Sequence, residues 1–294
     1  MARTKAISLI QNGSTKVELA ELSGLVIANI QKETLSSGLK SQSYTGNPAS
    51  GSVEYKRFKN SASQAYGTAR TAGKGTALTV PPTPSTWTPT ARSSRKPRSL
   101  TWTPSRRKHH ARRADNHVDT VAAELDAAFF TCAATKGTAF TTAETDIEAQ
   151  VEALIQTLET VKNDYVRGVP RNLIRLVLDP VFYGKIRTYL DKNTHNANVD
   201  TAAEDFALFH GVRVYSSINL PVTSETVEVT KTTTCHMIAI IEGAIAQPVV
   251  IYPYGEPEKI PLSNDYGVSM FFDYGTKALT PDLIFHYSTS VTSD

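Results

Sequence analysis

Cysteine is scarce in this chain of 294 residues: Cys132 and Cys235 stand far apart and in no paired motif. That excludes a disulfide scaffold and a cysteine zinc cage, and fits a reducing compartment. Long apolar runs are also missing. The best stretch, HMIAIIEGAIA, is interrupted by Glu242 and falls short of the ~18 residues a membrane helix needs. The opening MARTKAISLIQNGSTK has basic residues but no apolar core, so no secretory signal is expected. Hydrophobic residues at 40% and charged residues at 20% are ordinary for a globular protein, which excludes wholesale disorder and collagen-like repeats. The length fits one large domain or two ordinary ones.

Acidic residues are absent from one long interval. Between Glu54 and Asp115 there is no Asp or Glu, while fourteen Lys and Arg fall there. Of the 31 basic residues, seventeen remain elsewhere, against all 28 acidic ones, a net charge of −11 outside the interval. The chain is an acidic body with one basic insertion. Such a block usually points to a polyanion, through release of counterions from phosphates.

The insertion has two parts. Val53 to Thr79 mixes aromatic, small and basic residues, with Gly67, Gly73 and Gly75 as turn signals. From about Val80 to Ala111 six prolines crowd together, and both tryptophans, Trp87 and Trp102, sit in the same tetrapeptide, Thr-Trp-Thr-Pro. Little apolar surface is left there to offset the entropy of ordering. Shifting the reading frame of that tetrapeptide forces a Leu/Val/Met–Asp step. The same shift over Ser93 to Ser99 allows Ile/Val alternating with Glu. The composition therefore reads as a stretch translated out of frame. The other reading is a genuine basic, proline-rich loop that binds nucleic acid, with Trp87 and Trp102 stacking on bases.

Along the rest of the chain, residues 1–24 read as an extended arm and 21–40 as a short helix with Leu22, Val26, Ile27, Ile30 and Leu35 on one face. A strong helix is expected from about Arg113 to Lys136. Val118, Val121, Ala122, Leu125, Phe129 and Cys132 form its apolar face, with Asp115, Asp119, Glu124 and Asp126 opposite and His117 on the polar shoulder. A second helix carries Ile147, Val151, Leu154, Ile155, Leu158 and Val161, with Thr141/Glu144 and Thr145/Glu148 as capping-box candidates. Asn172–Asp179 reads as a buried strand, after which Asp179 caps a helix opened by Pro180. Gly211–Ser216 and His236–Ile241 are further strands, so helices and strands alternate around a central sheet. The stretches from Gly267 and from Thr280 read as two strands joined by a turn, a return to a β-rich part.

No catalytic, cofactor or metal site emerges. Gly67 to Lys74 has the wrong spacing for a phosphate loop, and Gly75 replaces the Ser/Thr that would hold magnesium. Ser37 and Lys40 fit a Ser-x-x-Lys pattern without its companions. The histidines have no metal-ligand spacing on one helix face. Tyr252, Tyr254, Tyr266, Phe271 and Phe272 could stack bases but suit a β-rich core equally.

Five stretches carry a resemblance: GSVEYKRFKNSASQAYGTARTAGKG (51–75), ARRADNHVDTVAAELDAAFF (111–130), VPRNLIRLVLDPVFYGKIRTYLD (169–191), FHGVRVYSSINLP (209–221) and KIPLSNDYGVSMFFDYGTKALTPDLIFHY (259–287). In order and character they resemble the major capsid proteins of tailed double-stranded DNA bacteriophages, of the Hong Kong 97 type. The resemblance runs from about residue 20 onward and departs from the family pattern at about 80–111, where similar proteins are apolar and acidic.

It implies an α+β chain with the Hong Kong 97-like capsid fold. The layout would be an N-terminal arm (1–43), an extended E-loop hairpin (44–104), the spine helix of a peripheral (P) domain (105–137), an axial (A) domain with the central sheet (138–245), and a return to the P domain (246–294). It implies no enzyme and no cofactor. The function implied is a head protein that assembles with itself into hexamers and pentamers of an icosahedral shell around double-stranded DNA. Portal and scaffolding proteins would be its other partners, the DNA would be enclosed without sequence-specific binding, and no membrane is involved. Assembly would take place in the bacterial host cytoplasm, and the product would be the virion. Lys56, Arg57, Lys59, Arg70 and Lys74 are the candidates to meet carboxylates on a neighbouring subunit, giving register more than affinity. The other readings are the shell of an encapsulin-like nanocompartment and a nucleic-acid-binding protein that uses the basic 55–114 block.

Overall fold

The computed structural model describes residues 4–10, 16–43, 52–55, 57, 83–86, 106–192, 199–200, 205–206, 208–226, 230–253, 258–259 and 266–293. Its first elements already differ from an extended arm. Strand β1 (Thr4–Ile10) is followed by helix α1 (Lys16–Glu33) and, after a break at Thr34 and Leu35, the single turn α2 (Ser36–Leu39). Val26 and Ile30, four apart, are buried, as the periodicity predicts.

Strands β2 (Ser52–Tyr55) and β3 (Thr83–Thr86) pair antiparallel, Ser52 opposite Thr86 and Tyr55 opposite Thr83. The hairpin's return strand is thus found inside the anomalous 80–111 stretch. Trp87 and Trp102 lie outside the described residues.

Helix α3 (Arg106–Lys136) is a 31-residue rod, about 46 Å long at 1.5 Å per residue. It begins seven residues before the expected start. Its apolar face is wider than one stripe: Phe130 and Ala133 are buried as well as Val118, Val121, Ala122, Leu125 and Phe129. The cause is that the helix serves two cores in succession. Its middle packs with α1, and its last turns pack with the central sheet. Two polar residues assigned to the outer side are buried: Asp126, 5% exposed, and His117, 8% exposed.

After β4 (Thr138–Ala139) comes α4 (Ile147–Thr160). Neither capping box forms. Asp146 occupies the N-cap position without a side-chain bond, Gln150 N–H donates to the Asp146 carbonyl, and the Thr142 hydroxyl accepts from Glu144 N–H. Val151, Leu154, Ile155 and Leu158 are fully buried. A single 3-10 turn (Arg171–Leu173) leads into β5 (Ile174–Leu178). Helix α5 (Pro180–Lys192) starts where expected, with Asp179 Oδ1 accepting the Phe182 N–H at 2.7 Å.

The short strands β6 (Val199–Asp200) and β7 (Asp205–Phe206) pair with each other. β8 (Leu208–Phe209) and β9 (Val212–Ser216) form a tight hairpin at His210 (φ 47°) and Gly211 (φ 86°), the two positive φ values that such a two-residue turn requires. Then follow β10 (Val222–Thr226), β11 (Thr230–Ile241), β12 (Ile245–Ala246), β13 (Val249–Ile251), β14 (Glu258–Lys259), β15 (Tyr266–Tyr274), β16 (Lys277–Ala278) and β17 (Ile284–Ser293).

The central sheet has the order β4-β17-β11-β5-β9-β8, with β10 also paired to β11. β5 and β9 run parallel, joined by the α5 crossover. Both faces are covered, which is why β5, apart from Arg175, and the end of β11 read as apolar runs. Leu176, Leu178, Met237 and Ala239 face α4 and α5, while Val177, Ile238, Ile240 and Ile284 pack with Phe129 and Phe130 of α3. A smaller sheet, β1-β15-β13 with β14 on β15, supplies Phe272 to a third core shared by α1 and α3.

The last two long strands do not form a hairpin. β15 belongs to the smaller sheet and β17 to the central one. The turn between them, Pro281–Leu283, redirects the chain and buries Leu283. The described strands from β12 onward are therefore divided among three sheets, β13, β14 and β15 in the smaller one, β12 with β16 in a two-stranded one and β17 in the central one, rather than gathered in one β-rich part.

Candidate functional site

Of the five basic residues expected to meet a neighbouring copy, Arg57 is among the described residues, while Lys56, Lys59, Arg70 and Lys74 lie outside them. The structure places Arg57 against its own chain. Its Nη1 and Nη2 donate to Asp282 Oδ1 and Oδ2 at 2.5 and 2.7 Å, a fork-on-fork ion pair. Asn163 Nδ2 donates to the same Asp282 Oδ2 at 2.5 Å. The guanidinium carbon lies 4.2 Å from the centre of the Tyr165 ring, within cation–π range. The Arg57 side chain is only 18% exposed. Burial pushes the Asp282 carboxyl up, but Arg57 and Asn163 outweigh it and hold it below the ordinary carboxylate range.

The loop that delivers Asn163 and Tyr165 is built to stay closed. Asn163 Oδ1 accepts the N–H groups of Tyr165 and Val166 at 2.9 and 2.8 Å, and Gly168 N–H donates to the Val161 carbonyl at 2.6 Å. Gly168 has φ +83°, and a Cβ there would sit 2.5 Å from the Glu159 carbonyl oxygen. Only glycine fits this position.

A second polar junction joins α2, the α3 spine and the segment before β13. Asp126 Oδ1 and Oδ2 accept the N–H groups of Ser36 and Leu35 at 2.8 and 3.2 Å. Ser36 Oγ donates to Gln247 Oε1 at 3.0 Å, and Gln247 Nε2 donates to the Leu125 carbonyl at 2.8 Å. Desolvation raises the Asp126 carboxyl pKa despite these donors. A third cluster ties α4 to the start of β5: Arg171 donates to Glu152 and Glu159, and His210 Nδ1 lies 2.7 Å from Glu152 Oε2. Burial pushes Glu152 up, but Arg171, His210 and Gln156 bring it down to about 2.

One arrangement has the order used by hydrolases. Asp179 Oδ2 lies 2.7 Å from His236 Nδ1, and His236 Nε2 lies 2.7 Å from Thr289 Oγ1. Each member already has a structural task. Asp179 caps α5, His236 sits at the β11 bulge and stacks on Phe182 at 4.7 Å, and Thr289 lies on β17. Grooves of about 660 and 420 Å³ are lined by other residues. The chain of bonds fastens the helix cap to two strands. Ser37 and Lys40 both line the smaller groove, where burial lowers the Lys40 pKa, but no hydrogen bond joins their side chains. Among the described residues no group of three His, Cys, Asp or Glu could hold a metal ion, and no helix is long and apolar enough to cross a membrane. Of the aromatic set, Phe272 is buried, Phe271 and Tyr252 are half-buried, and Tyr254 and Tyr266 have no described side-chain environment.

Sequence reasoning missed Asp282, Asn163 and Asp126. Each acts on a partner remote in sequence, which local periodicity does not show.

No protein-family model matches the chain, and no curated protein matches it in sequence. Solved structures do match in backbone. A chain of Mycobacterium phage Che8 superposes with TM-score 0.56 at 16% identity, covering 86% of this chain and 90% of that one. The capsid structure of the cyanophage P-SCSP1u gives TM-score 0.59 at 11% identity, over 86% and 87% of the two chains. The capsid of Ralstonia phage GP4 gives 0.51 at 14% identity, over 87% of each. The hairpin, the long spine helix and the central sheet are therefore the parts of one known architecture, and this chain has the Hong Kong 97-type capsid fold.

Proposed function

We propose that the chain is a major capsid protein, a head subunit that assembles with copies of itself into hexamers and pentamers of an icosahedral shell around phage double-stranded DNA. The observation that carries this reading is the backbone match to phage capsid chains along 86% of the sequence and 87% of the cyanophage capsid chain. A subunit of this kind has no reaction to perform. It needs repeated contacts, each individually weak, whose geometry closes rings and then a container.

The surface suits that task. Ile218, Val222 and Val291 are 84%, 60% and 67% exposed. The register places Val222 and Val291 on one face of the β10–β11–β17 ribbon, since Val222 lies opposite Thr234, Thr234 opposite Thr289, and Val291 two residues further along β17. Exposed β-branched side chains on a projecting ribbon gain by being covered with another copy. The basic residues Lys56, Lys59, Arg70 and Lys74 would steer that association against a body with a net charge of −11.

In this reading the arm is 1–43, the E-loop 44–104, the P domain 105–137 together with 246–294, and the A domain 138–245, with β17 contributed to the A-domain sheet. Assembly in the bacterial cytoplasm with portal and scaffolding proteins follows from the same reading, and the location of the product is the virion. Electron microscopy of the purified protein tests it: icosahedral particles tens of nanometres across are expected. A chain that stays monomeric under all packing conditions overturns it.

A further inference from the structure

Arg57 is the one candidate contact residue whose side chain is described, and it is fully engaged at home. It stands two residues beyond β2, on the loop side of the Tyr55–Thr83 pair of the β2–β3 hairpin. From there it reaches the Pro281–Leu283 turn through Asp282 and the loop after α4 through Tyr165, while Asn163 of that loop donates to the same Asp282. Both anchor points are rigid. Leu283, next to Asp282, is buried in the central core, and the 161–168 loop is closed by Asn163 Oδ1 and by the Gly168 turn. A bidentate guanidinium–carboxylate pair fixes orientation as well as distance, because both N–H···O bonds must be in plane together. A planar ring under the guanidinium adds a third constraint. The outgoing strand is therefore held in one direction relative to the body just beyond its pairing with β3.

We propose that the Arg57–Asp282 pair is a positioning latch that sets the direction in which the hairpin leaves its own subunit, so that Asp282, Asn163 and Tyr165 control shell assembly without touching the neighbouring copy. This rests on the capsid reading for its consequence, though the latch itself is a property of the free subunit. Arg57 is then a residue acting within its chain, and the intersubunit work falls to the other basic residues of the hairpin.

The test uses the full chain and the variants Asp282→Ala, Arg57→Lys and the exchanged pair Arg57→Asp with Asp282→Arg. In the free subunit, trypsin cleavage after Lys56 and Lys59 is followed by mass spectrometry, with cleavage in the body and the thermal midpoint as controls. Asp282→Ala is expected to raise cleavage after Lys56 and Lys59 about tenfold while the body stays protected. Arg57→Lys, which keeps the charge but loses the fork, should fall between it and the parent. The exchanged pair should restore protection and particle formation together. Unchanged cleavage at these two sites in Asp282→Ala overturns the latch, as does increased cleavage that the exchange fails to reverse. If Asp282→Ala loosens the whole body, Arg57→Lys decides by the same comparison. Parent protein that forms no particles defeats the capsid reading alone, since cleavage after Lys56 and Lys59 still reports on the latch.

Discussion

Asp126 accepts the backbone N–H of Ser36 at 2.8 Å although the two residues are 90 positions apart in sequence. A carboxylate on the spine helix thus completes the start of a four-residue turn in the N-terminal segment. The same carboxylate takes the Leu35 N–H at 3.2 Å. Asp126→Ala strands two backbone donors, one of them buried, and is expected to cost about 2–3 kcal/mol. Denaturant midpoints of parent and variant measure it.

The raised Asp126 pKa has a sign of its own. An acid that holds its proton more tightly when folded stabilises the fold in its protonated form, and that gain is lost as pH rises through the folded pKa. Asp126→Asn cannot ionise. Stability measured from about pH 4 to pH 7 should therefore fall less steeply in that variant than in the parent.

Glu152 behaves in the opposite sense. Burial alone would raise it, yet Arg171, His210 and Gln156 bring it to about 2 from 4.5. Its contribution is complete above the unfolded value and is lost as pH falls through the folded one. Acid unfolding followed by circular dichroism should show a shallower transition between about pH 4.5 and pH 2 in Glu152→Gln, whose stability at neutral pH is lower.

Gly168→Ala introduces a side chain at φ +83° and a contact of 2.5 Å with a backbone oxygen. The left-handed conformation alone costs roughly 1–2 kcal/mol, and the clash adds to it. A fall of about 2 kcal/mol or more is expected in thermal or denaturant unfolding.

The hairpin charges separate into two groups. Lys56→Glu with Lys59→Glu should leave the subunit folded and stop particle formation, read by circular dichroism and electron microscopy. Adding Arg57→Glu should further expose the chain around position 57 to trypsin, because a carboxylate would then face Asp282 in place of the guanidinium. Parent-like particles from the triple variant would refute the role of the hairpin charges.

The 80–111 stretch has its own test. Sequencing the gene from independent isolates should reveal compensating base insertions or deletions that bracket it. An uninterrupted frame in all of them refutes the out-of-frame reading.

Much of the framework was legible because it rests on local periodicity. The stripe Val151, Leu154, Ile155 and Leu158 is buried as the helical spacing requires, and Asp179–Pro180 starts α5. Strand partnership was less visible. Nothing local distinguishes the sheet that β15 joins from the one that β17 enters, because both strands mix aromatic and β-branched residues with polar ones. The β8–β9 hairpin escaped notice because His210 occupies a place usually taken by Asn or Asp. Asp126 and His117 were assigned to solvent because they are polar. Long-range partners keep Asp126 inside. The candidate site followed the same division: the basic block was visible, whereas the carboxylate that receives Arg57 lies 225 positions away.

β17 lies between β4 and β11, so one of the last elements in the chain fills an interior place in the central sheet. A nascent polypeptide leaving the ribosome cannot complete that sheet until residues 284–293 have emerged. Interrupted translation would leave β11 with an open edge where β17 belongs. Such fragments would carry an unpaired edge open to other chains, so the order of the strands ties closure of the sheet to the arrival of residues 284–293.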